Sequence, residues 1–232
     1  MCGRIPPLDR GTSPRGRQEE AGKFSPLCCY RGPHEARRWT MTRPMRADAR
    51  RNLERILAAA RDMIVERGPD VPLDDVARRA EVGSGTLYRR FPDRATLLHA
   101  VALDALTGTV EAVRDACARE ADPFEALARY LRRTLELRVS AVLPAVLGRV
   151  DLEGDPELSP LRAESLRLLE GLVRAAHAAG TLPGDVTFAD IGMMAVRIAR
   201  PLPGPLPPEE KQALARRHLD LFIRGLRAEA RT

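Results

Sequence analysis

A chain of 232 residues is long enough for one or two domains with a buried core. Aromatic residues make up only 4% of it, and Ala, Leu and Arg dominate, a composition that favours an all-α protein over strand-rich folds. The net charge of +6 resides in residues 1–50, which hold 11 basic and 5 acidic side chains, so bulk charge does not predict a nucleic-acid partner for the rest of the chain.

The cysteine pattern and the hydropathy argue against several further classes of protein. Three of the four cysteines lie within the first 29 residues and Cys117 lies alone, so neither a disulfide framework nor a zinc site is predicted. The sequence has no signal-peptide pattern and no apolar run long enough to span a bilayer. We therefore expect a cytoplasmic protein with no metal site, no cofactor and no membrane partner.

Residues 1–45 are rich in Pro, Gly and Arg and lack apolar periodicity, which predicts a disordered basic extension. Two interpretations remain open. The segment is an arm that contacts a nucleic-acid backbone without sequence preference, or translation begins at Met41 or Met45 and the segment is not part of the protein. The short distance from Met45 to the first predicted helix favours the second interpretation.

Residues 46–102 predict a small unit of three helices followed by the start of a longer one. Apolar side chains recur along one face of the first helix, and a Gly-Pro pair ends it. Two short helices then flank a tight turn. The predicted bounds are 49–67, 73–80 and 84–91 for the three helices, 81–83 for the turn, and a start near Arg94 for the longer helix.

Residues 103–232 predict a larger helical bundle. Its helices have identifiable starts, such as an N-cap followed by proline at the first helical position, or a capping-box-like pattern. No segment alternates apolar and polar residues like a strand, so the predicted fold is all-α. The predicted helices run from Asp122-Pro123 to about Gly148, from Ser159-Pro160 to about Ala179, from Thr187-x-x-Asp190 to about Ala199, and over 209–227 after a proline-rich connector at 200–208.

The tight turn between the second and third helices is typical of a helix-turn-helix. Val82 and Leu87 would pack against a small apolar face of the second helix. This packing would leave the polar side chains of the third helix facing outward, where they could enter the major groove of DNA. The outward side chains are those of Ser84, Thr86, Arg89 and Arg90.

Five short motifs lie between residues 51 and 101, and their spacing holds without gaps. They are Arg55-Ile56-Leu57-x-Ala59-Ala60, Glu66-Arg67-Gly68, Val76-Ala77-x-x-Ala80, Gly85-Thr86-Leu87-Tyr88-Arg89-Arg90-Phe91 and Leu97-Leu98. In these motifs the segment resembles the TetR family of bacterial transcriptional repressors. The resemblance covers roughly fifty residues, and its Thr-Leu-Tyr-x-x-Phe core is the most specific part.

The resemblance implies that the third helix of the unit reads DNA. Ser84, Thr86 and Arg89 would contact base edges, because arginine can grip guanine with two hydrogen bonds and threonine offers a hydroxyl and a methyl group. Tyr88 and Arg90 would hydrogen-bond phosphates. Structural alternatives remain open for three of them: Tyr88 as a core aromatic, and Arg89 and Arg90 as an ordinary solvated pair.

Two further residues receive a role from the resemblance, and two features depart from it. Arg94 would contact the DNA backbone from the start of the fourth helix, and Gly85 would allow the third helix to approach the DNA closely. Gly83 stands where the family often has an N-capping Ser, which should cost about a few tenths of a kcal/mol. Asp74 and Asp75 stand where some relatives have basic residues that bind phosphate, so affinity would depend more on the third helix.

For residues 103–232 the resemblance implies a helical ligand pocket and a dimer interface formed by the last two helices, but no motif names a ligand. Dimerisation makes physical sense because two reading helices bind two half-sites. Apolar stripes on the last two helices agree, although such stripes usually serve as core. The stripes comprise Ile191, Met194, Ala195 and Ile198, and Leu214, Leu219, Phe222, Ile223 and Leu226.

Three side chains, those of His177, Met193 and Met194, are candidate pocket residues. A surface or capping role is favoured for the histidine, and core filling is favoured for the two methionines.

Together these features predict a DNA-binding transcriptional regulator that responds to a small molecule of apolar character. The preferred mode is a homodimeric repressor that binds a palindromic operator and is released by the ligand. The alternatives are a constitutive DNA-binding protein, which would not need about 130 further residues, and an activator. An enzyme is disfavoured because the sequence has no phosphate-binding glycine loop, no His-Glu-x-x-His and no serine elbow.

Overall fold

The computed structural model describes residues 47–202 and 204–229. The described residues form nine helices and no strand, with one isolated bridge between Leu147 and Val150, so the all-α prediction is confirmed. The predicted basic extension at 1–45 lies outside the described residues. The helices are α1 (Ala47–Arg67), α2 (Leu73–Arg79), α3 (Ser84–Arg90), α4 (Arg94–Arg119), α5 (Pro123–Glu136), α6 (Val139–Val146), α7 (Leu158–Ala178), α8 (Phe188–Ala199) and α9 (Pro208–Glu229).

The first core of the molecule joins α1 to α4 with α6. Leu87 and Phe91, at the end of α3, are buried in this core together with Val76 and Ala77 of α2. A helix of seven residues such as α3 is too short to be stable alone in water. Each fully buried Leu or Phe side chain contributes about 1.5–3 kcal/mol. Tertiary packing therefore holds α3 in place.

Helix α4 connects the small unit to the bundle without interruption. Its 26 residues span about 39 Å at the usual helical rise. Asp93 caps its N-terminus by accepting a hydrogen bond from the Thr96 backbone N–H at 2.7 Å, and this bond lowers the pKa of the Asp93 carboxyl. By length and composition α4 could cross a membrane, but 56% of its apolar window is buried inside the fold, and it packs against α5, α6 and α7 as a core helix does.

The prediction of one helix from residue 123 to about residue 148 is wrong. The chain breaks after α5, and Arg138 adopts the left-handed conformation with φ of 56° before α6 begins. In an unbroken helix Arg138 would lie two turns beyond Leu131, on the same buried face. The break removes its charge from that face and lets Val142 and Val146 of α6 pack into the first core.

The start of α7 also differs from the prediction, because the helix begins at Leu158, before Ser159-Pro160. The carboxylate of Asp155 accepts hydrogen bonds from the backbone N–H groups of Glu157 at 2.8 Å and Leu158 at 3.0 Å. The bond from Leu158 contributes most to lowering the pKa of Asp155. This carboxylate, rather than the Ser-Pro pair, fixes the helix start.

The predicted capping box at the start of α8 is confirmed. The Thr187 hydroxyl accepts from the Asp190 N–H at 3.2 Å, and the Asp190 carboxylate accepts from the Thr187 N–H at 2.9 Å. The backbone N–H groups of Thr187 and Asp190 each thereby gain a hydrogen-bond acceptor.

A second core joins the end of α4 with α5, α7, α8 and α9. Leu219, Ile223 and Leu226, from the apolar stripe of α9, are buried in it, so this part of the stripe serves the core of the protomer. The expectation that Met193 and Met194 fill the core is wrong. They lie on the outer side of α8, where 58% and 37% of their surface is exposed.

Candidate nucleic-acid interface and internal cavity

The turn between α2 and α3 sets the direction of α3. Glu81 takes the left-handed conformation with φ of 52°, which reverses the chain after α2. The Val82 N–H donates to the Ala77 carbonyl at 3.0 Å, and the Glu81 N–H donates to the Arg78 carbonyl at 3.2 Å. These two bonds form the Schellman pattern that ends many helices. The predicted tight turn at 81–83 is thus present.

Gly83 is the N-cap of α3, with extended backbone dihedrals and no side chain to cap the helix. Its carbonyl accepts from the N–H groups of Thr86 at 2.8 Å and Leu87 at 3.2 Å, which starts the helix. A Cβ at Gly83 or at Gly85 would meet no other atom within 4 Å. Nothing in the described part of the protein therefore requires glycine at position 85.

The polar residues predicted to read DNA lie together on the exposed side of α3. Ser84, Arg89 and Arg90 are exposed and Thr86 is half-buried. The Arg89 guanidinium donates to the Thr86 hydroxyl at 3.3 Å, which keeps these two side chains on one face. Tyr88 is 42% exposed, so it is not a core aromatic. Neither Arg89 nor Arg90 forms an ion pair within residues 47–202 and 204–229.

Arg94 is placed differently from the residues of α3, because it pairs with an acidic residue. Its guanidinium lies 3.2 Å from the carboxylate of Asp70, in the loop between α1 and α2. The same carboxylate accepts two hydrogen bonds, at 3.0 and 2.8 Å, from Arg149 beyond α6. Asp70 thus forms ion pairs with two arginines, Arg94 at the candidate interface and Arg149 in the second half of the chain.

A second ion-pair bridge joins the two halves on α1. Asp62 lies 3.0 Å from the Arg138 Nε at the α5–α6 break and 3.8 Å from the guanidinium of Arg79 on α2. Arg79 also donates two hydrogen bonds, at 3.0 and 2.9 Å, to Glu66. Sequence reasoning missed both bridges, because pairs far apart in the chain leave no local signal.

A cavity of about 280 Å³ that is partly open to solvent lies among α4, α5, α6, α7 and α8. Its walls are mainly aliphatic, with Leu106 from α4, Leu127 from α5 and Leu143 from α6 among them. Tyr130 of α5 also lines it, and burial raises the pKa of its phenol above the ordinary value, so the hydroxyl stays neutral.

His177, weighed as a ligand-facing residue, does not line the cavity; its Nε2 lies 3.0 Å from the Val186 carbonyl. Within the described ranges, no three His, Cys, Asp or Glu side chains form a group that could hold a metal ion.

Two family models match separate parts of the chain. A family model for bacterial regulatory proteins of the tetR family matches residues 56–101, and a model for the C-terminal domain of SbtR-like transcriptional regulators matches residues 122–228. No curated protein matches the chain.

Solved structures with the same fold cover most of this chain and nearly all of their own. A TetR transcription regulatory protein from Mycobacterium vanbaalenii is 34% identical, over 79% of this chain and 99% of its own, with a TM-score of 0.54. A TetR transcriptional regulator from Streptomyces coelicolor is 32% identical, over 75% and 97%, with a TM-score of 0.52. The TetR family regulator PfmR from Thermus thermophilus is 26% identical, over 74% and 98%, with a TM-score of 0.51.

Proposed function

The chain belongs to the TetR family of bacterial transcriptional regulators, and on this premise we propose that it is a repressor that binds a palindromic operator as a homodimer and leaves it when a small molecule binds. The observation that carries the proposal is α3, whose buried end is fixed in the core while its polar side chains face solvent. Because the operator lies on the chromosome, the proposed site of action is the cytoplasm.

The proposed contacts are of two kinds, contacts to base edges and contacts to phosphates. Ser84, Thr86 and Arg89 contact base edges in the major groove, and Gly85 lets the helix approach the bases. Arginine and tyrosine side chains at the edge of the contact bind phosphates, which set the register without reading sequence. These phosphate-binding side chains are Tyr88, Arg90 and Arg94.

The proposed dimer interface is the outer side of α8 and α9. Met193 and Met194 on α8 and Leu221 on α9 are large apolar side chains that the protomer leaves exposed. Packing against a second copy would remove this apolar surface from water. The dimer also supplies two reading helices, which raises affinity and matches a palindromic operator.

The proposed route from ligand to DNA runs through α4 and α6. Both helices line the cavity, and α4 continues from there to the end of α3. Residues of α6 pack in the same core as α1 and α3. A ligand that shifts these helices would change the spacing of the two reading helices. Such coupling typically amounts to about 1–3 kcal/mol, a change of about 5- to 150-fold in operator affinity.

Fluorescence anisotropy of the full-length chain tests the proposal, with duplex DNA from the region flanking its own gene and a scrambled duplex as reference. Tight binding to the flanking DNA alone, lost in an Arg89→Ala and Tyr88→Phe double variant, is the expected result. Equal weak binding to both duplexes, unchanged in the double variant, would contradict reading by α3. A screen of small molecules in the same assay tests the response to ligand.

A further inference from the structure

The cavity among α4 to α8 has one charged lining residue within the described part of the chain. That residue is Arg162, on the second turn of α7, and its side chain is 39% exposed. Most of the other lining side chains are apolar, and the polar ones are hydroxyls. A ligand in this cavity therefore meets aliphatic walls and one cation.

Arg162 is the only charged hydrogen-bond donor among the described lining residues, and two of the four lining hydroxyls have their protons already engaged. The Thr109 hydroxyl donates to the Ala105 carbonyl at 2.9 Å, and the Ser165 hydroxyl donates to the Arg162 carbonyl at 2.8 Å. These two protons are therefore already in use, and both hydroxyls can offer a ligand only acceptor capacity.

Among the described residues the guanidinium of Arg162 pairs only with Glu153, which leaves it spare donors. Its Nη1 donates to Glu153 at 3.1 Å, in the loop between α6 and α7, and the Glu153 side chain is 80% exposed. An exposed ion pair of this kind contributes only about 0–1 kcal/mol. A guanidinium has five N–H donors in a fork that matches a carboxylate. Glu153 is thus a weak partner that a better-placed anion can replace.

We propose that the cavity binds a small amphipathic carboxylate, whose apolar body contacts the aliphatic walls and whose head group binds Arg162. Glu153 competes for the same guanidinium and holds it while the cavity is empty. The proposal rests on the cavity being the effector site of the proposed repressor. A volume of about 280 Å³ lies just below the range of about 300–1,000 Å³ that is usual for ligand pockets, so the carboxylate is a compact one.

Isothermal titration calorimetry on the full-length chain tests the proposal with octanoate, octanol and octylamine, which share one alkyl chain and differ in head group. Octanoate is expected to bind at least about tenfold more tightly than the other two, since a charge-assisted hydrogen bond is roughly twice as strong as a neutral one. Arg162→Gln should remove this preference and leave the affinity for octanol unchanged. Glu153→Gln should raise the affinity for octanoate by about two- to fivefold.

Arg167→Gln is the matched control, because Arg167 is an exposed arginine of the same helix that does not line the cavity. It should leave all three affinities as they are. The proposal is overturned if none of the probes binds, if octanoate and octanol bind equally, or if the Arg162→Gln variant keeps the preference.

Operator binding, measured on the same protein samples, separates this inference from the proposed function. Operator binding without an octanoate preference would overturn the head-group assignment alone. An octanoate preference that depends on Arg162, in a chain that binds no specific DNA, would overturn the repressor alone.

Discussion

The functional side chains of α3 are mostly exposed, whereas those that line the cavity are mostly part of the core. On α3 two buried residues, Leu87 and Phe91, fix the helix, and the polar residues between and before them are exposed or, for Thr86, half-buried, and carry little of the packing. In the cavity the side chains that would touch a ligand, such as Leu127 and Leu131, are themselves part of the second core. Substitutions on α3 should therefore separate DNA binding from stability, whereas most substitutions in the cavity wall should change both.

The largest expected effect is the loss of the anchor of α3. Leu87→Ala should lower the free energy of unfolding by about 2–5 kcal/mol, because Leu87 is fully buried and its replacement leaves a cavity. It should also weaken DNA binding, since α3 loses its support. Urea unfolding followed by circular dichroism measures the effect. Leu202→Ala, at an exposed position, is the control and should change stability by less than about 0.5 kcal/mol. Equal stability of both variants would show that α3 is not anchored in this way.

A substitution on the exposed face of α3 should weaken operator binding and leave stability unchanged. Arg89→Ala should weaken operator binding by about 1–3 kcal/mol, the usual value of a specific base contact, and leave the free energy of unfolding within about 0.5 kcal/mol of wild type. Anisotropy and urea unfolding on the same sample measure both. Arg174→Ala removes an exposed arginine on α7 and should change neither quantity. Equal loss of DNA affinity in both variants would point to a general charge effect instead of base reading.

A substitution at Gly85 should change fold stability and DNA affinity in opposite directions. Gly85→Ala should stabilise the fold by about 0.5–1 kcal/mol, since alanine favours the helix and the added methyl group meets no protein atom. The same methyl group should weaken DNA binding by occupying the space between helix and bases. Gly171→Ala on α7 should raise the melting temperature without changing DNA affinity. A Gly85→Ala variant that binds DNA as wild type does would remove close approach as the reason for this glycine.

The smallest expected effect concerns the carboxylate shared by Arg94 and Arg149. Asp70→Asn should release the charge of Arg94 toward the DNA backbone and raise operator affinity by about two- to fivefold. The dependence of affinity on salt should steepen by about one counterion. Glu170→Gln, which removes an acidic charge on α7, should leave both quantities unchanged. An unchanged salt dependence in Asp70→Asn would mean that Arg94 does not contact phosphate.

The features that the sequence could predict lie mostly in α1 to α4, and local residues determine them. The bounds of α1 to α3 and the start of α4 were predicted within a few residues, because Gly68, Gly83 and Asp93 each mark a helix end or start with local backbone chemistry. The polar face of α3 followed from the expected packing of Val82 and Leu87 against α2. These features depend on neighbours in the chain, and a single sequence contains them.

The features that the sequence could not predict depend on contacts between residues that lie far apart in the chain. The break before α6 occurs at Arg138, a residue with no turn preference, and its partner Asp62 lies on α1. The pairing of Asp70 with Arg149 spans 79 residues. The exposure of Met193 depends on which side of α8 faces the bundle, and the apolar residues on both sides of that helix hide the answer.

A structure of the full-length chain bound to its operator would test the central claim most directly. We expect α3 of each of two copies to lie in the major groove, with the two helices about 34 Å apart along the DNA axis. Thr86 and Arg89 should lie against base edges, and Tyr88 and Arg90 against phosphates. DNA held by another surface, with α3 facing solvent, would contradict the assignment of α3 as the reading helix.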